Sequence, residues 1–224
     1  IGQGVLAAWV LLGGGFYLAY AGRRARAVQQ EETLVGEVAE VQVKTVPRIL
    51  IAAGDLEQLP SLLRLGWAVA RDRQAELVVL RVLPTGDELS TRNLQRAAEE
   101  EWEALDRAVV ESESSDVPIA TLVRIAPSVE SGILATTREY DIDLLLLGAA
   151  DLPREAPPSP VLTRIFSSTS RRLLVLRGQI EQGRLDVVVG TAGGPHSPLA
   201  LQVGGSIAAN TGGQIKLVAV VPQA

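Results

Sequence analysis

The side chains able to do chemistry in this chain are few, and most of them stand where an apolar run ends. The segment GTAGGPH sets Gly190, Gly193 and Gly194 between such a run and the helix start Ser197-Pro198. Glycines let backbone N–H groups approach an anion, and a helix N-terminus adds its dipole, so this loop is a candidate for approaching an anion. His196, the only histidine, lies just before that start with no nucleophile or acid spaced to partner it, and reads as an exposed, structural residue. Gly54 and Asp55 follow one apolar run, and Gly148 to Asp151 follow another. Gly148 reads as a turn and Ser159 as a helix cap. Asp55 and Asp151 fall where strands end, a place that suits a small uncharged or cationic ligand. The run Ser167, Ser168, Thr169 and Ser170, backed by arginines, reads as a helix end. There is no P-loop lysine motif, no G-x-S-x-G elbow and no metal-ligand spacing, so the chain is not expected to be an enzyme.

Composition narrows the chemistry further. Cysteine is absent, which excludes disulfides and thiolate metal sites, and a single histidine excludes histidine-rich zinc chemistry. The net charge of −5 argues against a nucleic-acid surface.

These residues need strands and helices to position them. Ile49–Ala53 is a short apolar run that predicts a buried strand. Pro60 opens a helix to about Arg73, in which Leu59, Leu63, Gly66 and Ala70 share a face. Leu77–Leu83 is a second strand. Ser90 caps a long helix whose inner stripe is Leu94, Ala98, Trp102, Leu105 and Val109, with Glu99, Glu100, Glu101 and Glu103 on a solvated face. Ile119–Ile125 is a third strand, and Ser128 caps a helix to Tyr140. The block Leu144–Leu147 has no polar alternation, which predicts a strand buried on both sides. A proline-rich loop over 153–158 leads to Ser159-Pro160, a cap and first-turn pair, and Leu173–Leu176 is a fifth strand. Strand and helix alternating in this way predict an α/β fold with a parallel five-stranded sheet and right-handed crossovers. The pattern then restarts. Asp186–Val189 reads as a strand, Ser197-Pro198 begins a helix that stops at Asn210 to Gly213, and Ile215–Val221 is a strand. Segments 48–83 and 185–221 therefore read as copies of one repeat. The second copy has too few strands for a sheet of its own, so intrachain pairing with the first is expected.

Ahead of this lies a different kind of segment. Ile1 to Tyr20 is almost wholly apolar, with Gln3 its one strongly polar side chain, and Arg23, Arg24 and Arg26 come directly after. A helix over residues 1–22, rising about 1.5 Å per residue, matches a bilayer core of roughly 30 Å. A signal peptide would carry its positive charge before the apolar stretch rather than after it. The arginines place the rest of the chain on the cytoplasmic side. The expected organisation is a transmembrane helix over 1–22 with the lipid bilayer as its partner, a juxtamembrane linker over 23–46, a domain over 47–178 and a partial second domain over 184–224. A chain that begins with Ile inside an apolar helix is expected to be the C-terminal part of a longer protein.

The chain resembles the universal stress protein family. The segment VRIAPSVESGILATTREYDIDLLLLG, with its Gly132-Ile133 step and Asp143, resembles the family's third strand, third helix and fourth strand, and VLTRIFSSTSRRLLVLR its last helix and strand. RILIAAGD and AELVVLRVLP fit the first two strands, and residues 186–222 fit the first strand, helix and second strand again. This implies a Rossmann-like fold in tandem copies. A membrane helix followed by such domains is similar to the C-terminal end of amino acid permeases of the amino acid–polyamine–organocation superfamily. Cation–proton antiporters and chloride channels can carry similar tails. The resemblance implies a regulatory, non-enzymatic cytoplasmic tail at the plasma membrane, with the upstream transporter helices as partners. The alternative is a membrane-anchored or soluble nucleotide-binding stress protein.

ATP-binding members carry a G-x-x-G loop after the fourth strand and a Gly-Ser at the last helix. Here the second glycine is Asp151, only seven residues separate Asp151 from Ser159, and the Gly-Ser is Ser159-Pro160. The adenine-facing aspartate falls at Gly54, with Asp55 one step later. The resemblance thus points to Gly54, Asp55, Gly148, Asp151 and Ser159 as a degenerate ligand pocket, with no cofactor expected and ATP as the residual alternative.

Overall fold

β2 (Arg48–Ala52) is an apolar strand bonded along both edges, and the rest of the molecule is arranged around it. The computed structural model describes residues 33–35, 46–85, 91–112, 116–149, 157–181, 183–192 and 194–219. The expected membrane helix over 1–22, the Ser90 cap, Asp151, Gly193 and the end of the last strand lie outside the described residues. Among the described residues no helix is long and apolar enough to cross a membrane.

The described chain begins with β1 (Thr33–Val35), followed by β2, α1 (Leu59–Arg73), β3 (Glu76–Pro84), α2 (Thr91–Glu111) and β4 (Ile119–Ala126). It continues with α3 (Val129–Glu139), β5 (Leu144–Gly148), α4 (Pro160–Ser168) and β6 (Arg172–Leu176). The order across the main sheet is β1-β4-β3-β2-β5-β6. The five strands from β2 to β6 are parallel, as the alternation predicts. β1 falls inside the stretch expected to be a linker. It pairs antiparallel with β4, with Leu34 opposite Arg124, and extends that edge.

A parallel sheet has helices on both faces, so its central strands lose their polar alternation. Ile49 and Ile51 of β2 and Leu144 and Leu146 of β5 point into one core with Leu63, Val69 and Leu105 of α1 and α2. Leu50, Leu145 and Leu147 point into the other with Ile133, Leu162 and Ile165 of α3 and α4. The helix stripes fall as the spacing predicts: Leu59, Leu63, Gly66 and Ala70 are all buried. Gly66 permits this approach, because a Cβ there would stand 2.8 Å from Ile51 Cδ1. The acidic face of α2 is not only solvated, since Glu101 pairs with Arg81 of β3 at 3.1 Å.

After β6 come β7 (Val187–Thr191), α5 (Ser197–Thr211) and β8 (Ile215–Ala219). β7 and β8 form a separate two-stranded parallel sheet. This unit repeats β2–α1–β3 at one constant offset in sequence. Both helices have a proline at the second position, and the preceding Gln58 and His196 are helical in backbone with no side-chain cap. The expected cap Ser197 is therefore the first helical residue, one place later than predicted. Gly66 recurs as Gly204, where a Cβ would meet Val189 Cγ2 at 2.5 Å. The left-handed stop at Gln74 recurs at Gly212. The bond from Ala75 N to Ala70 O recurs from Gly213 N to Ala208 O.

α5 packs on α1, and the contacts are reciprocal. Ser206 Oγ donates to Asp72 Oδ2 at 2.8 Å, and Asn210 Nδ2 donates to Ala68 O at 3.0 Å. Under the repeat, Ala68 corresponds to Ser206 and Asp72 to Asn210. Such exchange of roles is the signature of a two-fold relation between two surfaces. The last turn of α5 is tightly closed, for a Cβ on Gly213 would lie 1.8 Å from Leu185 O. Overpacking against backbone costs about 1–3 kcal/mol. Gly213→Ala is expected to speed amide exchange in β7 and β8 roughly tenfold or more while leaving β2 and β5 protected; unchanged exchange in β7 and β8 would refute this.

Candidate functional site

In a parallel sheet the ligand position is the crevice beyond the carboxyl ends of two strands whose crossovers leave in opposite directions. Here that point lies between β2 and β5. β2 continues through α1 on one face, whereas β5 continues through α4 on the other. Ala52 pairs with Leu147, so the segments beginning at Gly54 and Gly148 leave neighbouring strand ends. Of the five expected pocket residues, Gly54, Asp55 and Gly148 come to this end of the sheet. Ser159 begins α4 on the second face, and Asp151 lies outside the described residues.

In the described part of this crevice stand two of the chain's own side chains, Gln58 and Arg81. Gln58, at the start of α1, is 2% exposed. Its Nε2 donates to Leu176 O at 3.2 Å and Gly178 O at 2.8 Å, tying α1 to the end of β6. Its Oε1 lies over Gly148, where a Cβ would be only 2.1 Å away. Gly148 thus admits a glutamine side chain rather than merely turning the chain. Next to it, Arg81 of β3 reaches across the sheet. Its Nη1 donates to Ala53 O at 3.2 Å and also to Gly54 O, while its Nε donates to Glu101. A cation therefore stands where the resemblance implies an adenine-facing aspartate. Asp55 Oδ1 accepts from Glu57 N at 2.9 Å, a local turn bond.

Ser159 caps α4 as expected: its hydroxyl accepts from Leu162 N at 3.2 Å, and Pro160 follows at the first helical position. The neighbouring α3 begins with a capping box in which Ser128 and Ser131 exchange bonds. Glu130, in the first turn of α3, is paired with Arg164 of α4. Its own backbone N–H, and after it Arg164, hold this carboxyl below the usual glutamate range. The tie between α3 and α4 is therefore complete above the ordinary glutamate pKa and weakens as pH falls through the lowered value.

In the second glycine loop the described polar groups bond to one another. Thr191 Oγ1 donates to Ser197 Oγ at 2.5 Å, Gly194 O accepts from Ser197 N at 3.0 Å, and His196 is exposed. In the hydroxyl run, Ser167 Oγ donates to Arg164 O, and Thr169 N closes the helix on Ile165 O. Among the described residues no cluster of three His, Cys, Asp or Glu could hold a metal ion.

Reading the sequence missed Gln58 and Arg81. Gln58 carries a signal, a lone amide at the head of an otherwise apolar helix face. Arg81 interrupts the apolar run of β3 and carries a similar one. Gln58→Ala should cost about 1 kcal/mol by removing its two bonds to the end of β6, although Leu176 O keeps its bond from Ala149 N. Gly148→Ala should cost a similar amount, but the double variant less than the sum, because removing Gln58 frees the space; additive urea midpoints would refute the contact. In Arg164→Ala, the Glu130 carboxyl should titrate at higher pH than in the parent chain, as read by carbon NMR, and an unchanged midpoint would remove the α3–α4 pair.

The profile of the universal stress protein family matches residues 45–175. Among solved structures, a universal stress protein from Archaeoglobus fulgidus is similar at 14% identity and a TM-score of 0.46, over 58% of this chain and 92% of that one. A member of the family from Burkholderia pseudomallei is similar at 19% identity and a TM-score of 0.44, over 60% and 98%. The Archaeoglobus fulgidus protein in complex with dAMP is similar at 13% identity and a TM-score of 0.44, over 59% and 98%. No curated protein matches the chain.

Proposed function

The chain belongs to the universal stress protein family, and we propose that it is a regulatory, non-enzymatic module whose nucleotide crevice is closed by its own side chains. In this reading it is the cytoplasmic tail of an amino acid permease-like transporter in the plasma membrane, with residues 1–22 as the last span. The observation that carries the regulatory reading is Gln58, buried over Gly148 and bonded to Leu176 O and Gly178 O. A phosphate would have to displace that amide without finding the second glycine of the family loop. Arg81, held on Ala53 O and Gly54 O, closes the neighbouring strand ends.

The membrane setting rests on the sequence: the apolar run Ile1 to Tyr20 with Arg23, Arg24 and Arg26 after it. We read residues 184–224 as the beginning of a second universal-stress-like domain. The constant offset between α1 and α5 and the exchanged contacts of Ala68 and Asp72 with Asn210 and Ser206 support it. The two copies then pair within the chain through α1 and α5. Regulation on this basis requires two packings of the pair that a transporter distinguishes.

Two measurements test the reading. Titration calorimetry of ATP, AMP and cyclic dinucleotides, with magnesium, into the full chain should give no saturable heat with ATP or AMP. Micromolar ATP binding would overturn the closed crevice and restore a nucleotide-binding stress protein. Membranes holding the full chain should retain it through alkaline carbonate extraction; release into the supernatant would remove the transporter setting while leaving the closed crevice intact.

A further inference from the structure

Three polar side chains of α1 and its cap hold the connector that leads from β6 to β7. Gln58, Ser61 and Arg64 are spaced by three, so they lie along one side of the helix. Gln58 Nε2 donates to Gly178 O at 2.8 Å. Ser61 Oγ accepts from Ile180 N at 2.8 Å. Arg64 donates to Glu181 O and Gly183 O. The bonded positions thus run along the connector in the same order as along the helix. Gly178 and Gly183 have positive φ, so the backbone turns at both places. Ile180, between them, packs against the first core.

The same helix then holds the unit that follows. Ala68 O and Asp72 bond to Asn210 and Ser206 of α5, and Arg73 Nη2 donates to Gln202 Oε1 at 2.9 Å. Connector and α5 are therefore fixed on one element, and the first tie is made by the residue that stands over Gly148.

The ties differ in what their loss leaves behind. Gln58 and Ser61 are 2% and 5% exposed. If the connector lifts, the Gln58 amide loses an acceptor and the Ser61 hydroxyl a donor away from water, which is unfavourable. The Arg64 bonds are exposed, where water replaces a lost acceptor. The hold is thus concentrated at Gln58 and Ser61, beside the strand ends. Gln58 cannot keep its place once the space over Gly148 is filled, because a single carbon there would stand 2.1 Å from its Oε1.

We propose that the connector over 178–183 is a releasable strap. Occupation of the space over Gly148 moves the Gln58 amide off Gly178 O, frees the strap and loosens the docking of β7–α5–β8 on α1. The effect is reciprocal, since a strap pulled off α1 leaves Gln58 without Gly178 O and frees it to leave Gly148. The strap rests on the same placement of Gln58 that carries the regulatory reading, and it gives that reading its two packings.

The test needs no ligand, because the methyl group of Gly148→Ala fills the space itself. Amide exchange is followed by NMR in the full chain at Ile180, at Val187, whose N–H donates to Gln214 O at 2.7 Å, and in β2. In Gly148→Ala, Ile180 and Val187 should exchange roughly fivefold faster or more while β2 keeps its protection. In Gln58→Ala/Gly148→Ala both should exchange at the rate of Gln58→Ala alone, because the methyl then has no amide to displace. Parent rates at Ile180 and Val187 in Gly148→Ala, or a further increase from Gly148→Ala once Gln58 is gone, would overturn the strap. If Gly148→Ala also loses protection in β2, Gln58→Ala decides: faster exchange at both amides supports the strap, and parent rates overturn it. No nucleotide is added, so ATP binding by the full chain would overturn the regulatory reading and leave the exchange result standing.

Discussion

β2 has no free edge and no free face. Its backbone bonds to β3 on one side and β5 on the other, while Ile49 and Ile51 enter one core and Leu50 and Ala52 the other. Every nearby choice answers to that constraint. The helices must come close enough to cover both faces, which is why Gly66 stands at the contact with Ile51 and Gly132 at the contact with Val82. The strand ends must also converge at one point, because the crossovers on the two faces diverge from it. The geometry of the switch point is a consequence of burying the middle of the sheet.

At that point the described residues place side chains against the strand ends. Gln58 is the clearest case, since one side chain fills the space over Gly148 and donates to two carbonyls at the end of β6. Burying a primary amide is unfavourable unless its hydrogen bonds are made, and here they are made inside the protein. Arg81 has the same character: its guanidinium is bonded to Ala53 O, Gly54 O and Glu101, so its charge is held by the protein's own acceptors. Both side chains tie neighbouring strand ends together, Gln58 to the end of β6 and Arg81 to the end of β2.

The end of the chain shows what repetition alone supplies. β7–α5–β8 has the proline, glycine and left-handed stop of β2–α1–β3; among the described residues its sheet has two strands, and Val188 and Leu217 are more than half exposed. α5 packs on α1, with Val203 buried in the first core. The exchanged roles of Ala68, Asp72, Ser206 and Asn210 show that the two helices use equivalent surfaces to do so.

Much of this was legible in the residues. The apolar runs Ile49–Ala53 and Leu144–Leu147, the stripe Leu59–Leu63–Gly66–Ala70 and the Ser159-Pro160 cap arise from local spacing, and the structure places them accordingly. The placement of Gln58 and Arg81 was not legible in them. Gln58 and Leu176, or Arg81 and Gly54, are far apart in sequence and meet only when parallel pairing brings strand ends together, and no periodicity records which side chain will fill the space between them. The antiparallel β1 depends likewise on tertiary placement, as do the ties from Arg64 to Glu181 O and Gly183 O. Sequence by itself determined the strands, the helices and their order, because burial has a period. Only the tertiary structure decided what the site contains, because long-range contacts select the side chain that occupies it.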